Sequence, residues 1–443
     1  MFASFAYRHA PVRAQETLIA ARAALRARLR EGRAFQALRA QAGESQWWSA
    51  AELRACRERR VRDLLEFARR HVPYYRERAG GAALADWPLL DKAAVRAAGR
   101  AMLAGRRRGP LFESGTSGTS GSPLRLWQDL AALNRENAFV WRQLEWAGLQ
   151  RGQRRAWMRG DMVVPAAQRV PPYWRLNRAE RMLMLSSYHL ADSTAAAYLE
   201  ALESFDPALI QAYPSSIGFL AAWMLDRGRR YRGAALCGIV TSSETLSQER
   251  RRALSVAFGC PVLDWYGQAE RVAAIGTCEH GRYHLLSDYS HVELLPRGDG
   301  TCELVGTGLH NLAMPLIRYR TGDFVRPAPA GERCPCGRAL PLIEAIEGRC
   351  DDAVKLPGGR SIGRLDHVFK GLAGIVEAQI RQQRADAIEV LVVPGASYGE
   401  ATRRALLGNL RERLGDGVAL AIETVDAIPR GANGKFKGVV SAL

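Results

Sequence analysis

Two lysines near the end of the chain, Lys435 and Lys437, draw attention first among the residues that have the chemistry for catalysis. Lysine occurs at only five positions, and arginine supplies the rest of the 63 basic residues. Lysine is a compact point charge on a flexible stem, whereas arginine is a planar fork. We therefore interpret the glycine-containing segment 429–437 as a loop that brings a point charge into a neighbouring site.

A second candidate is the segment 113–123, which contains three glycines and six hydroxyl residues. Backbone N–H groups and small hydroxyls are suited to binding phosphate oxygens. The same composition is also typical of a flexible surface linker. No Gly-Lys-Ser/Thr ends the segment, so it is not a Walker loop.

Two carboxylates follow short apolar or glycine-containing runs. Glu270 lies at the end of segment 264–270, directly after an apolar strand, a common position for ligand-binding residues in α/β folds. A glutamate there is able to hold Mg²⁺ beside phosphates. Asp323 follows a glycine in segment 318–323, where it either accepts hydrogen bonds from ribose hydroxyls or simply caps a turn.

Taken together, these segments resemble the signature motifs of the adenylate-forming superfamily, which contains acyl-CoA synthetases, peptide-synthetase adenylation domains and luciferases. Five motifs occur in the expected order, which makes chance similarity very improbable. They are the Ser/Thr/Gly phosphate loop at 116–123, Tyr-Gly-x-x-Glu at 266–270, Tyr-x-Thr-Gly-Asp at 319–323, Gly-Arg-x-Asp-Asp at 348–352 and the Gly-Lys loop at 433–437.

The branch is narrowed by segments 71–76 and 87–92, which resemble the N-terminal region of phenylacetate–CoA ligases. They resemble even more the shorter relatives linked to capsule biosynthesis and to coenzyme-adenylating synthetases. Segments 241–244 and 283–285 fit the same branch. The chain departs from the pattern at Ser122, where many members have lysine, and at Gln268 in the Tyr-Gly motif.

The resemblance implies a nucleotide site assembled from several parts of the chain. The β- and γ-phosphates would be cradled by Thr116, Ser117, Gly118 and Thr119. Four residues would frame the adenine: Ser242, Ser243, Glu244 and Tyr266, whose ring would stack on it. Gly267 would also bind the cofactor. Asp323 would bind both ribose hydroxyls with Arg349 beside it.

The same resemblance assigns the chemistry. Lys435 would bridge the acyl carboxylate and the α-phosphate, stabilising the charge that builds as pyrophosphate leaves. Glu270 would ligate Mg²⁺. Asp351 would be the hinge about which a small terminal domain turns, and Gly358 would then face the approach channel of the thiol. One site would thus carry out two half-reactions in sequence.

Three cysteines and a histidine suggest a metal site. Cys278 and His280 form a Cys-x-His pair, and Cys334 and Cys336 form a Cys-x-Cys knuckle followed by glycine. Together they make a Cys₃His set for tetrahedral, structural zinc. The alternative is two unrelated loops with unpaired thiols. His284 competes as the fourth ligand, but family members without these cysteines also carry that histidine, so we favour His280.

The acyl pocket is expected between segments 141–146 and 211–216 and the strand before Tyr266. An aromatic slot would be formed by Trp141, Trp146, Tyr213 and Trp265; these rings equally fit a hydrophobic core. No basic residue is assigned to the acid. An aryl or arylacetic acid follows from the resemblance only.

The elements that position these residues indicate an α/β fold. The first 110 residues are rich in Ala, Arg and Leu and predict helices, including 16–38 and 51–71. Short apolar strands alternate with helices in the core. After Arg349 the pattern changes to strands at 375–381, 388–393 and 418–425 and a helix at 400–414. We therefore predict a large adenylate-forming domain, made of a helical part (1–110) and a nucleotide- and acyl-binding core (111–350), and a small mobile α+β lid (351–443).

Length and composition set the remaining limits. The chain has 443 residues, is 47% hydrophobic and has a net charge of +18. Its basic residues are spread along the whole sequence, which favours solvated faces over a nucleic-acid groove. The apolar run 208–225 approaches the length of a membrane span, but Gln211 and Pro214 favour a buried helix with a loop. We find no signal peptide and expect a cytoplasmic location. A homodimer is compatible with the sequence.

These observations leave a leading hypothesis and its rivals. The leading one is an AMP-forming ligase that uses ATP and Mg²⁺ to activate a carboxylic acid, which we expect to be aromatic, and transfers it to coenzyme A. A close rival transfers the same acyl-AMP to an amine or a carrier-protein thiol. The rivals from other classes are a basic nucleic-acid-binding protein and a nucleotide-binding module without turnover.

Overall fold

The computed structural model describes the chain except residues 1, 3, 79, 106–108, 116–123, 166, 350–353, 358–360, 363–364, 370–371, 373, 416 and 431–435. Two compact units are distinguished. Unit one comprises Met1–Ala21, Gln150–Val262 and Cys350–Leu443, and unit two comprises Arg22–Leu149 and Leu263–Arg349. Each unit is described by itself.

The regular elements are numbered in chain order. The helices are α1 (Phe5–His9), α2 (Val12–Arg30), α3 (Arg33–Ser45), α4 (Ala50–His71), α5 (Pro73–Arg78), α6 (Lys92–Ala98), α7 (Leu130–Trp146), α8 (Asp192–Phe205), α9 (Pro214–Asp226), α10 (Gln248–Phe258) and α11 (Glu400–Leu414). The strands up to residue 300 are β1 (Phe112–Gly115), β2 (Arg125–Gln128), β3 (Arg155–Arg159), β4 (Trp174–Asn177), β5 (Met182–Ser186), β6 (Leu209–Ala212), β7 (Gly238–Ser242), β8 (Val262–Gly267), β9 (Ala274–Thr277), β10 (Tyr283–Leu285) and β11 (Ser290–Pro296). The later strands are β12 (Cys302–Gly308), β13 (Tyr319–Pro327), β14 (Leu342–Arg349), β15 (Val354–Lys355), β16 (Ser361–Ile362), β17 (Ile375–Arg384), β18 (Ala387–Pro394), β19 (Ala419–Thr424) and β20 (Val439–Ser441).

The N-terminal region is helical, as the composition predicts, but the helix predicted over 16–38 is wrong as a single element. It is two helices, because α2 ends at Arg30 and α3 begins after Gly32, whose backbone is extended. Glycine is among the weakest helix formers, which favours a break there. By contrast α4 starts sharply at Ser49, whose side chain forms a reciprocal capping box with Glu52.

In unit one, four strands form a parallel sheet in the order β7-β6-β3-β5, with β4 antiparallel at its edge. Strands β5, β6 and β7 are buried along their whole length, as expected for parallel strands covered on both faces. The run 208–225 is therefore not one buried helix. Its first part is strand β6, and α9 follows with Pro214 at its first turn.

The C-terminal part of unit one is a four-stranded sheet in the order β19-β18-β17-β20, covered by α11. Leu406, Leu410 and Leu414 of α11 are buried against it, so the predicted amphipathic helix is confirmed. Leu391 and Val393 of β18 join the hydrophobic cluster of residues 156–262 in the same unit.

In unit two, the strands form an antiparallel sheet in the order β11-β12-β13-β14-β10-β9-β8. Helices α3 and α7 pack beside each other, and a buried ion pair joins Arg142 of α7 to Asp288 at 2.6 Å. Such a pair needs every partner satisfied, and the second bond from Arg142 and the hydroxyl of Ser45 provide this.

The α/β class, the helical N-terminal region and the separate C-terminal α+β sheet are confirmed. The predicted division into a large domain and a mobile lid stays a prediction. The C-terminal segment belongs to the same compact unit as residues 150–262. Within the described residues, no helix combines the length and the apolar character that crossing a membrane requires.

Candidate active site

Several predicted site residues lie outside the described residues, and their roles stay predictions. They are Thr116, Ser117, Gly118, Thr119, Asp351, Gly358 and Lys435. Of Arg349 only the backbone is described: it lies at the end of β14, in register opposite Asp323 of β13. This register concerns the backbone alone, and the role of Arg349 beside Asp323 stays a prediction.

Unit two brings the Tyr-Gly motif and the Thr-Gly-Asp motif together. The hydroxyl of Tyr266, on β8, donates a hydrogen bond of 2.7 Å to Oδ2 of Asp323. Gln268 in turn donates to the Tyr266 hydroxyl at 2.7 Å. Burial and the Asp323 carboxylate raise the pKa of Tyr266 well above its ordinary value, so the phenol stays protonated and remains a donor. Gln268, a departure from the family pattern, therefore has a structural role.

The backbone of these motifs is shaped for close approach. Gly322 has φ +71°, which lets the chain turn into Asp323, whose N–H donates to the Thr321 hydroxyl at 3.0 Å. At Gly267, an added Cβ would lie 2.8 Å from Nε1 of the Trp265 indole. A side chain at that position would force the indole to move, and glycine avoids this shift.

The candidate magnesium ligand lies beside the second motif. Oε1 of Glu270 accepts a hydrogen bond of 3.1 Å from the Tyr319 hydroxyl. Glu270 is half-buried. Glu270, Tyr266 and Asp323 thus lie in one hydrogen-bonded region of unit two, and their roles toward a ribose and Mg²⁺ stay predictions.

Within unit one, the carboxyl ends of β3, β6 and β7 lie at the same edge of the sheet, because the strands are parallel. This edge is where open α/β sheets bind ligands. Ser243, directly after β7, has φ +72°, a conformation that non-glycine residues adopt at a cost and that often marks functional sites. Its hydroxyl accepts a hydrogen bond of 2.6 Å from Arg159, the last residue of β3.

Arg159 is a site residue that the sequence analysis missed, because it is one of very many arginines. Its guanidinium lies 4.9 Å from the centre of the Trp157 ring and 5.2 Å from that of Tyr213, distances at which cation–π attraction operates. The sequence did contain one sign of this residue: Arg159 is a charged residue at the end of a strand.

Glu244, predicted to frame the adenine, has firm protein partners. Its carboxylate accepts hydrogen bonds from the backbone N–H and the hydroxyl of Ser215, at 2.9 Å and 3.0 Å, at the start of α9. Negative charge is stabilised at a helix N-terminus. Its Oε1 also accepts from the backbone N–H of Phe436 at 2.7 Å, in the C-terminal part of the same unit. A role at the adenine stays a prediction.

The three predicted zinc cysteines form one cluster in unit two. The ligand atoms of Cys278, His284, Cys334 and Cys336 all lie within 4.8 Å of one another. The sulfurs of Cys278 and Cys334 are 3.6 Å apart, and Cys336 Sγ lies 3.4 Å from His284 Nε2. Three sulfurs and one imidazole nitrogen at these separations fit the donor set and spacing of a tetrahedral zinc site.

The preference for His280 as the fourth ligand is corrected by this geometry. His280 is exposed in the turn after β9, whereas His284 is buried on β10 and faces the sulfurs. Burial lowers the pKa of His284 to about 4 and raises the pKa of Cys334 to about 12. The imidazole is thus neutral, the form that binds a metal, and a bound cation would favour the thiolates.

The aromatic residues expected at the acyl pocket divide into two groups. Trp146 is a core residue of unit two: its Nε1 donates to Gln46 at 2.6 Å, and Arg338, just after the cysteine knuckle, stacks on it at 4.3 Å. Tyr213 lies beside Arg159 in unit one. In unit two, a cavity of about 380 Å³ is lined by Arg60, Arg135 and His310 among others, but by none of the predicted nucleotide residues.

Comparison with known proteins agrees with these features. A family model described as the CapK C-terminal domain matches residues 357–442. Protein CapK of Staphylococcus aureus is 25% identical over 353 residues, covering 76% of each chain. A phenylacetate-coenzyme A ligase of Pseudomonas putida is 28% identical over 238 residues, covering 49% of this chain and 52% of that one, about half its length.

A crystal structure of 2-hydroxyisobutyryl-CoA ligase, in the postadenylation state with 2-HIB-AMP, has the same fold. Its TM-score is 0.66 at 20% identity, with 90% of this chain and 92% of that chain covered. The resemblance to the adenylate-forming superfamily and to its phenylacetate–CoA ligase and capsule-related branch is confirmed.

Proposed function

We propose that this chain, a relative of CapK and of phenylacetate–coenzyme A ligases with the fold of acyl-CoA ligases, activates a carboxylic acid with ATP. The products of the first step are acyl-AMP and pyrophosphate, and the acyl group then passes to the thiol of coenzyme A. The observation that carries the proposal is the hydrogen bond between Tyr266 and Asp323, which joins two separate motifs into one nucleotide-binding group.

Each residue has a distinct part in the first step. Asp323 holds the ribose hydroxyls and Tyr266 packs on the adenine. Glu270 would hold Mg²⁺, which when bound would offset the negative charge of the phosphates. An oxygen of the acid attacks the α-phosphorus, and the bond to pyrophosphate breaks. Lys435 neutralises the charge that develops there, which is the kind of stabilisation that contributes most to such reactions.

In the second step the thiol sulfur of coenzyme A attacks the acyl carbon and AMP leaves with the bonding electrons. The relatives named as coenzyme A ligases support this acceptor. Transfer to an amine or to a carrier-protein thiol is the competing outcome, because it shares the whole of the first step.

The proposal is tested by exchange of labelled pyrophosphate into ATP across a panel of aromatic and aliphatic acids. We expect exchange with at least one acid. AMP release that depends on coenzyme A would identify the acceptor, whereas release on adding amines would favour the amide-forming alternative. No exchange with any acid would overturn the proposed function.

Lys435 is tested separately with Lys437 as its matched control, since both lysines belong to the segment 429–437 of the sequence. We expect Lys435→Ala to slow adenylation by about 100- to 1,000-fold, as when one preorganised charge-stabilising group is removed. Transfer from preformed acyl-AMP should be largely spared, and Lys437→Ala should adenylate almost normally. Equal loss of both half-reactions in Lys435→Ala would show that its role is wrongly assigned.

We also propose that Cys278, His284, Cys334 and Cys336 hold a structural zinc ion. All four positions of the tetrahedron are supplied by the protein, which is typical of structural sites rather than catalytic ones. The other ring nitrogen of His284 faces the carbonyl oxygen of Leu340 at 3.4 Å, which suits the orienting contact that metal-bound histidines usually make.

A further inference from the structure

Arg159 has an unusual position for a charged residue. It ends β3 at the ligand edge of the parallel sheet, beside Tyr213 after β6 and Ser243 after β7. Burial lowers the pKa of Arg159, because the guanidinium loses contact with water. The nearby Tyr213, Asp161 and Glu244 act in the opposite direction but more weakly. A cation held in this way is costly unless something binds it.

Two carboxylates, Asp161 and Glu244, act electrostatically on Arg159, but both accept hydrogen bonds from other residues. Asp161 accepts a hydrogen bond of 2.7 Å from the Trp157 indole. Glu244 accepts from Ser215 and from Phe436. Neither forms an ion pair with Arg159, nor does any other acid within the described ranges. The guanidinium has five N–H donors. Among the described residues it donates to the hydroxyl of Ser243 and lies over the rings of Trp157 and Tyr213.

We propose that Arg159 is a specificity-determining residue that binds a second oxygen-bearing group of the acid substrate, a carboxylate or a hydroxyl. This inference rests on the proposed function and names the substrate class for it. The acid is one that carries a polar oxygen group in addition to the carboxylate that reacts, rather than the plain aryl or arylacetic acid that the family resemblance suggests.

The physical reason is the penalty for covering the remaining N–H donors of a partly buried guanidinium without pairing them. A plain apolar acid would cover the Arg159 guanidinium and offer nothing to its N–H groups. An acid with a matching oxygen would form charge-assisted hydrogen bonds. Sites built to bind a polar group reject analogues that lack it far more strongly than apolar pockets reject an extra methylene. The rings of Trp157 and Tyr213 keep the guanidinium in place.

Binding is measured by titration calorimetry on the full chain with AMP present and no ATP, so that no turnover is needed. The probes are matched pairs that differ by one oxygen group: benzoate with 4-hydroxybenzoate, and pentanoate with glutarate. The variants are Arg159→Met, Arg159→Lys and the control Arg155→Met. Arg155 begins the same strand and donates to Gln211 at 3.2 Å. Thermal unfolding of every variant establishes that it is folded.

The wild type should bind the oxygenated member of at least one pair about 10- to 100-fold more tightly, the worth of a charge-assisted hydrogen bond. Arg159→Met should abolish that preference without weakening the apolar member, Arg159→Lys should retain part of it, and Arg155→Met should keep it.

Three results would overturn the inference. The first is a wild type that binds neither member of any pair or prefers the apolar members. The second is a preference that survives in Arg159→Met. The third is a folded Arg159→Met variant that binds both members of a pair equally more weakly than the wild type. That result would mean that Arg159 binds the reacting carboxylate, which both members share. A wild type that binds the oxygenated acid but shows no pyrophosphate exchange would overturn the proposed function and leave this inference standing.

Discussion

Asp323 is the residue on which the proposed nucleotide site depends most. The residue is 5% exposed, and its carboxylate accepts a hydrogen bond from Tyr266, which orients it. Preorganised acceptors lose little entropy on binding. The backbone of Arg349, on β14, lies directly opposite the backbone of Asp323, on β13.

We expect Asp323→Asn to weaken AMP binding by about 10- to 100-fold, because an amide replaces a charged acceptor. Tyr266→Phe should have a smaller effect of about 3- to 10-fold, since it removes only the hydrogen bond that orients the carboxylate. Calorimetric titration with AMP measures both. Asp299→Asn, in an exposed turn of the same unit, is the control. AMP affinity that is unchanged in Asp323→Asn would exclude the ribose role.

At the scale of elements, the hairpin between β9 and β10 and the cysteine knuckle at 334–337 together carry the proposed zinc ligands. The hairpin is closed by a hydrogen bond from the Cys278 N–H to the Arg282 carbonyl, and the knuckle by one from Gly337 to Cys334. Arg338 then forms an ion pair with Glu279 at 2.8 Å. The elements are short, so a metal ion would contribute directly to their stability.

We expect the purified wild type to contain about one zinc ion per chain, the content of a closed Cys₃His site. His284→Ala and Cys334→Ser should lose it, whereas His280→Ala should keep it. Removal of the metal by a strong chelator should lower the melting temperature by about 4 °C or more. Elemental analysis and thermal unfolding measure the two effects. Zinc-free wild type, prepared without chelators, would remove the proposed site.

Helix α9 is linked to the C-terminal part of unit one at both of its ends. Glu244 makes the link beside the first turn, and Asp226 makes it at the last residue. Glu244 accepts from Phe436, and Asp226, the last residue of α9, accepts from the backbone N–H of Ala396 at 3.0 Å. These contacts accompany the apolar packing of Leu391, Val393 and Ile428 in the same cluster. The helix thus has a separate polar attachment at each end.

We expect Glu244→Ala to accelerate amide exchange of Phe436 by about 5- to 10-fold, since one hydrogen bond is worth about 1 kcal/mol. The Ala396 amide should be unaffected. Asp226→Ala should show the reverse pattern and so serves as the matched control. Hydrogen-exchange measurements at single-residue resolution test both. Equal acceleration of both amides in each variant would mean that the two attachments open together.

For the whole molecule, the net charge of +18 is the property most open to misinterpretation. Part of the arginine content is used internally: Arg142 is paired with Asp288 and Arg430 with Glu377, each in a buried pair. Other arginines stack on aromatic rings, as Arg338 does on Trp146. The charge therefore reflects many local contacts as well as solvated faces.

We expect binding to double-stranded DNA to be detectable only at low ionic strength and to disappear near physiological salt, as for non-specific attraction. Fluorescence anisotropy at a series of salt concentrations measures this. Submicromolar binding that persists at physiological salt would instead support the nucleic-acid-binding alternative.

Much of the fold was predictable because the relevant signals are local. Helix α11 has the predicted bounds, since leucines four residues apart define its buried face. The break at Gly32 and the strand β6 within an apolar run were not predicted correctly. An apolar run is compatible with either a strand or a helix, and only its neighbours in the sheet decide between them.

The sequence by itself determined which motifs exist, their order, and the α/β class, because these depend on residue types and short periodicities. Only the tertiary structure decided that His284 rather than His280 faces the sulfurs, that Glu244 is bound by Ser215 and Phe436, and that Arg159 lies beside Ser243. The physical reason is that these pairings join residues distant in sequence. Strand register and sheet order bring them together, and neither is encoded in a local pattern.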